Sequence, residues 1–119
     1  MLTKAQAQKI ALSFEGATEG LNYGKPTVLF AGKFFARVDH KEEAVELEVG
    51  SMEMRDMMLE TQPGLFYITD HHKKFPYLLA RLSKLNGKTL KELLSARALR
   101  IAAKRPKNRA AKIKKRKSR

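Results

Sequence analysis

Positive charge is concentrated at one end of this 119-residue chain. The last 23 positions hold twelve Lys and Arg residues and no acidic residue, whereas the first 96 hold 13 basic and 12 acidic residues. A run of unpaired cations cannot enter a hydrophobic core, because burying a charge without a partner costs too much free energy. The core must therefore come from roughly the first hundred residues, a length typical of one two-layer domain.

The composition excludes several classes of protein. The chain has no cysteine, which rules out disulfides and Cys-ligated zinc. No segment approaches the ~20 apolar residues of a membrane helix, and the N-terminal residues are too polar for a signal peptide. A hydrophobic fraction of 43% is too high for a disordered chain. We therefore expect a folded cytoplasmic protein, nucleoid-associated if its source is bacterial.

The pattern after residue 26 predicts an antiparallel sheet. Segments 27–31 and 34–39 flank Gly32-Lys33, and a glycine in the first central position suits a type II′ hairpin turn. Segment 44–49 alternates apolar and acidic residues, as a strand with one buried face does.

A second turn at residues 40–43 sets the register of the last two of these strands. It places three pairs opposite each other: Ala36 with Leu47, Arg37 with Glu46, and Val38 with Val45. The face carrying Arg37, Glu46 and Glu48 is then expected to be exposed, mixed to acidic in charge and a poor surface for phosphates.

Three helices and two further strands complete the predicted fold. The helix starts are indicated by a Thr3–Gln6 capping box, by Ser51 and by a Thr89–Glu92 capping box. Residues 17–26 are expected to be a loop, and residues 65–69 and 77–82 two strands joined by the polar loop 70–76. The prediction is an α+β domain over residues 1–105: helix, three-stranded antiparallel meander, helix, two-stranded hairpin and C-terminal helix. A basic, disordered tail over residues 106–119 follows.

The last helix contains an anomaly. Its apolar stripe of Leu90, Leu93 and Leu94 continues at helical spacing into Arg97 and then Arg100, Ile101 and Lys104. A cationic row cannot pack unpaired. We therefore expect this helix to leave the body near Ser95 as a basic spur and to end at Pro106.

The spur and tail predict a polyanion as partner, because clustered mobile cations neutralise phosphates without fixed geometry. A solubilising terminus without a partner is the alternative. The candidate nucleic-acid-binding residues are Arg97, Arg100, Lys104, Arg105, Lys107, Arg109, Lys112, Lys114, Lys115, Arg116, Lys117 and Arg119. DNA is favoured over RNA. No aromatic or apolar face accompanies the tail, so a membrane partner is not expected.

The segment Asp70-His71-His72-Lys73-Lys74 could belong to a metal or catalytic site. Such a site needs three or four converging ligands, and the only other histidine is His40. A solvated loop is favoured, and neither a metal nor a cofactor is expected. A milder interpretation is a wing that touches phosphates, formed by Lys25, Lys33, His71, His72, Lys73 and Lys74.

Two groups of apolar residues are interpreted as packing residues. The methionines Met52, Met54, Met57 and Met58 are expected to fill core gaps rather than to form a binding surface. Strand alternation places Phe34 with Ala36 in the core and Phe35 on the other face with Phe30. No convergent set of titratable groups is apparent, so an enzyme is not expected.

Seven segments together resemble the MmcQ/YjbR-like family of small bacterial proteins. They are residues 12–19, 24–26, 32–36, 66–72, 75–76, 78–82 and 102–105, within a matched span of about residues 4–105. The resemblance implies an α+β fold similar to secretion-chaperone-like domains and a DNA-binding role based on wing-like loops. It brings no catalytic residues. Ala98 and Ala103 stand where the family commonly has tryptophan and proline, and the basic tail lies outside the family pattern.

The sequence therefore predicts a non-enzymatic, largely sequence-independent DNA-binding protein. Two alternatives remain open: a chaperone-like protein-interaction module, and an RNA- or ribosome-associated protein. The sequence leaves the oligomeric state open.

Overall fold

A computed structural model describes residues 1–103 and gives an α+β fold with one six-stranded antiparallel sheet and three helices. The helices are α1 (Lys4–Leu12), α2 (Met52–Thr61) and α3 (Gly87–Ala103). The strands are β1 (Ala17–Asn22), β2 (Lys25–Phe30), β3 (Lys33–Asp39), β4 (Ala44–Glu48), β5 (Phe66–Tyr67) and β6 (Tyr77–Arg81). Their spatial order is β1-β2-β3-β4-β6-β5. The predicted α+β class is confirmed.

The meander has four strands, so the prediction of a loop over residues 17–26 was wrong. β1 pairs with β2 along its whole length, from Ala17 opposite Phe30 to Asn22 opposite Lys25. Only Tyr23 and Gly24 form the turn, both with positive φ, as a type I′ turn requires. Gly20 is not a turn residue, since a Cβ there would lie 2.6 Å from Leu29 Cδ1. The glycine gives room for that close contact.

The predicted register between β3 and β4 is confirmed. Ala36 pairs with Leu47, Arg37 with Glu46 and Val38 with Val45. β6 pairs with the other side of β4, so the predicted hairpin of β5 and β6 belongs to the same sheet.

A β-bulge in β3 exchanges the expected positions of two phenylalanines. Val28 pairs with Ala36 but Leu29 pairs with Phe34, which leaves Phe35 as an extra residue. An extra residue shifts the strand's alternation. Phe35 is consequently buried in the core against Phe30, whereas Phe34 packs its ring on Tyr77, with ring centroids 5.2 Å apart. The prediction that Phe34 shares the core with Ala36 was therefore wrong, since Phe35 takes that position, whereas the predicted contact of Phe35 with Phe30 is confirmed.

The hairpin turn between β2 and β3 also lies one residue earlier than predicted. Ala31 and Gly32 both have positive φ, which is the type I′ pattern rather than type II′.

α1 and α3 pack on each other and on the sheet to close the core. The predicted capping box of α1 is present, with Thr3 and Gln6 exchanging hydrogen bonds. α3 begins earlier than the predicted Thr89–Glu92 box, because the Asn86 side chain accepts a hydrogen bond from the Thr89 amide at 2.8 Å. Among residues 1–103, no helix has the length and apolarity needed to cross a membrane.

Candidate nucleic-acid interface

Two arginines of α3 are bound to the body instead of projecting from it. Arg97 donates to the Phe34 carbonyl oxygen from Nη2 at 2.7 Å and places Nη1 3.3 Å from Glu48 Oε1. Arg100 Nη2 donates to the Glu48 carbonyl oxygen at 2.6 Å and to Oε1 at 3.0 Å. We call this arrangement of Glu48, Arg97 and Arg100 the Glu48 clamp.

The clamp corrects the prediction of a basic spur that starts near Ser95. Ile101 is only 4% exposed, so α3 stays on the body almost to its end. The arginine row can pack because the Glu48 carboxylate and the carbonyl oxygens of Phe34 and Glu48 accept hydrogen bonds from the two guanidinium groups, and such partners allow a charge to be buried. The β4 face that carries Glu48 is accordingly not the exposed acidic surface expected from the sequence.

Gly50 allows this approach of Arg100. It has a φ of +102°, and a Cβ there would lie 3.2 Å from Arg100 Cδ and Nε. A side chain at position 50 would therefore meet both backbone strain and steric contact.

Ten of the twelve predicted binding residues, those from Lys104 to Arg119, lie outside the described residues. The other two, Arg97 and Arg100, form ion pairs with Glu48. Within residues 1–103, 15 basic residues face 12 acidic ones, so most of the formal charge of +13 belongs to the last sixteen positions. We call residues 104–119 the basic arm.

The loop at residues 69–76 is held by a buried arginine of α2. Arg55 is 7% exposed, and its Nη1 lies within hydrogen-bonding distance of three carbonyl oxygens: His72 at 2.6 Å, Phe75 at 3.1 Å and Lys73 at 3.2 Å. Asp56 accepts from the other guanidinium nitrogens. Arg55 thus supplies a charged donor to these three carbonyl oxygens of the loop.

His72 fixes the same loop from the sheet side. Its Nε2 lies 2.9 Å from Glu46 Oε2, and the Thr69 backbone N–H donates to its Nδ1 at 3.1 Å. A backbone N–H can only donate, so Nδ1 is the acceptor and the ring carries its proton on Nε2. The Thr69 hydroxyl is 3.0 Å from the same Nδ1. The loop is therefore held by partly buried hydrogen bonds among Thr69, His72 and Glu46.

Glu46 is held ionised by its neighbours. Burial by itself raises the pKa of Glu46, but the His72 hydrogen bond and the Arg37 guanidinium outweigh it and leave the pKa below its usual value. Arg37 Nη2 lies 2.8 Å from Glu46 Oε1 and also 3.2 Å from Asp39. This face of the sheet is therefore a neutralised and partly buried network, unlike the exposed acidic surface that was predicted.

The solvated-loop prediction was wrong for His72, which is buried, while His71, Lys73 and Lys74 are exposed as that prediction requires. The proposed wing stays a prediction. Lys25 begins β2 and Lys33 begins β3. Lys33 precedes Phe34, whose ring contacts Tyr77 directly after the loop.

The methionine prediction was also wrong in part. Met58 is buried, but Met54 and Met57 are 42% and 49% exposed, and the α2 residue that faces inward with Met58 is Arg55. Sequence reasoning missed Arg55, Glu48 and Phe75 as site residues. A lone arginine between methionines on an amphipathic helix was the one available signal, because helical spacing places Arg55 beside Met58 and not on the polar face.

Among the residues that the structure describes, no three His, Asp or Glu side chains come together as ion ligands. Comparisons of the chain with protein families, with curated proteins and with solved structures gave no match. What the site can do must therefore follow from its own contacts.

Proposed function

We propose that this protein binds DNA without reading its sequence, using the basic arm attached to the end of α3, and that it does not act as an enzyme. The carrying observation is the separation of charge: ten basic residues occupy the last sixteen positions, while the body before them is close to neutral. Phosphate neutralisation needs many cations and no base-specific geometry. Membership of the MmcQ/YjbR-like family and a cytoplasmic, nucleoid-associated location are parts of the same proposal.

The Glu48 clamp supports this division of labour. Arg97 and Arg100 already have protein partners, so phosphate contacts fall to the cations that follow them. Because the clamp keeps α3 on the sheet through Ile101, the arm starts from a fixed point on the body.

The test is a salt titration of DNA affinity for the full chain and for a variant that lacks residues 106–119. If the arm neutralises six or more phosphates, affinity for duplex DNA should fall by about a thousandfold or more between 50 and 200 mM salt. The shortened variant, which loses eight cations, should bind weakly and with a much smaller salt slope.

A variant with the same arm residues in scrambled order is the matched control. It should bind like the unchanged chain, because binding depends on charge and not on order. Unchanged affinity and salt slope after removal of residues 106–119 would refute the proposal. Single-stranded DNA and single-stranded RNA of equal length, measured in parallel, separate DNA preference from general nucleic-acid binding, since the 2′-hydroxyl is the group by which a protein distinguishes the two.

A second candidate function is a protein-interaction module, favoured by the exposed methionines of α2. Met54 and Met57 present flexible, polarizable side chains that adapt to apolar partners. A complex formed there should persist at high salt and be lost in a Met54→Glu, Met57→Glu variant. An arm-dependent complex with DNA should show the opposite salt response.

A further inference from the structure

We propose that Phe75 is a stacking site for an unpaired base, so that the protein binds single-stranded DNA with one base seated on the loop at residues 69–76. This inference rests on the proposed function, because the basic arm supplies most of the phosphate contacts. It adds a defined contact on the body that the charge pattern does not predict.

Phe75 is the first reason for this assignment. Phe75 is 55% exposed, although His72 in the same loop and Arg55, which holds the loop, are both buried. The exposed part of this aromatic ring offers a flat apolar surface on a rigid loop. Stacking of a base on such a ring is a common mode of single-strand binding and tolerates any base.

The rigidity of the loop is the second reason. The Phe75 carbonyl oxygen accepts from Arg55 Nη1 at 3.1 Å, and its amide donates to the His72 carbonyl oxygen at 3.2 Å. His72 is in turn fixed by Thr69 and Glu46. A loop backbone held in place before binding loses little conformational freedom on binding, and this lowers the cost of the complex.

Charge is the third reason. Lys73 and Lys74 are exposed and directly precede Phe75 in the chain, and each can face a phosphate of the same strand. Lys73 has only a solvent-exposed partner, Asp70, at 3.3 Å, and ion pairs of this kind contribute little. Cations beside an exposed ring match a strand whose bases are unpaired. In a duplex the base faces already stack on each other.

The chain offers a direct probe because it contains no tryptophan. In a Phe75→Trp variant the single indole should be quenched when oligodeoxythymidylate is added, and quenched much less by a blunt duplex of the same length. The matched control is Leu99→Trp, another exposed apolar position, which lies in the shallow groove between α1 and α3. Leu99 lies about one turn before the start of the basic arm, so its emission reports arm binding without stacking and should change to the same small extent with the single strand and with the duplex.

Affinity gives the second readout. In the full chain, Phe75→Ala should weaken binding of oligodeoxythymidylate by roughly 5- to 150-fold, the range for loss of one base–aromatic stack, while Phe75→Tyr should preserve it. Both variants should fold, since the Phe75 contacts that hold the loop are made by its backbone.

The outcomes separate the two proposals. If labelled oligodeoxythymidylate binds with the expected salt dependence but Phe75→Trp is not quenched, or is quenched no more than Leu99→Trp, the stacking site is refuted and arm binding stands. Equal quenching by duplex and single strand would refute the preference for unpaired bases. If no DNA binds to the full chain, the proposed function itself fails.

Discussion

Glu46 connects the sheet to the loop through two different partners. Its Oε1 accepts a hydrogen bond from Nε of Arg37 on the neighbouring strand β3 at 2.9 Å. Its Oε2 lies 2.9 Å from Nε2 of His72 in the loop. Both contacts involve a largely buried carboxylate, and hydrogen bonds to buried charged groups are among the stronger ones in proteins. Loss of the Glu46 charge should therefore destabilise the loop as well as the strand.

We expect Glu46→Gln to lower the free energy of unfolding at neutral pH by about 1–3 kcal/mol. Because the pKa of Glu46 is depressed in the folded state, its stabilisation is complete above the usual value of 4.5 and is lost as the pH falls below it. The variant should thus show a smaller loss of stability on acidification than the unchanged chain. Chemical denaturation from neutral pH to below pH 4 measures both effects.

Glu15→Gln is the control for this prediction, since Glu15 is exposed and makes no ion pair within residues 1–103. It should change stability at neutral pH by less than about 0.5 kcal/mol. An acid profile for Glu46→Gln that matches the unchanged chain would contradict the structural role assigned to this carboxylate.

At the scale of elements, α3 depends on β4 for its last two turns. Leu90 and Leu94 bury the first half of the helix, but from Arg97 onward the attachment consists of the Glu48 clamp and Ile101. A helix end held by polar contacts opens more easily than one held by apolar packing once a partner is removed, because the remaining charges are left unpaired.

Glu48→Gln should therefore destabilise the protein by about 2–3 kcal/mol. It should also raise amide hydrogen exchange selectively in residues 97–103 relative to the first half of α3. Glu92→Gln on the exposed side of the same helix is the comparison, and its exchange pattern should stay unchanged. Uniform exchange along α3 in both variants would show that the clamp does not hold the helix end.

The elements differ in how far the sequence could predict them. The register of β3 and β4 was predictable because Val38 and Val45 alternate with the oppositely charged Arg37 and Glu46 around a four-residue turn. Strand β1 was not predictable, because Gly20 was interpreted as a turn residue. The glycine is needed there for its close contact with Leu29, which is visible only in the folded sheet.

The candidate site divides in the same way. The charge of the arm can be counted in the sequence, but the clamp joins residues 49 positions apart, and no local pattern pairs them. The bulge at Phe35 is equally hidden, because two adjacent phenylalanines suit either face of a strand. Arg55 supports a loop 17 to 20 positions away, which periodicity alone cannot indicate.

At the scale of the whole molecule, the proposed function assigns folding to the body and most of the DNA affinity to the basic arm. The core lies within residues 7–101 and includes both sheet and helices. The clamp that holds the end of α3 is likewise formed by residues that precede the arm. Stability and DNA affinity should therefore respond to different substitutions.

We expect removal of residues 106–119 to change the free energy of unfolding by less than about 0.5 kcal/mol at moderate salt. At low salt the shortened chain should be slightly more stable, because it has lost eight mutually repelling cations. Thermal unfolding at two salt concentrations checks this. A large loss of stability would mean that the arm takes part in the fold.

If the arm binds DNA as proposed, the clamp also sets the length of DNA that one molecule can cover. α3 is tied down through Ile101, so the arm can reach only as far as its sixteen residues extend beyond Ala103, at most about 55 Å. With phosphates about 3.4 Å apart along each strand, that distance covers roughly sixteen base pairs. If α3 left the body near Ser95, the same cations could contact a longer stretch of DNA. The Glu48 carboxylate thus fixes how much DNA a single copy can occupy.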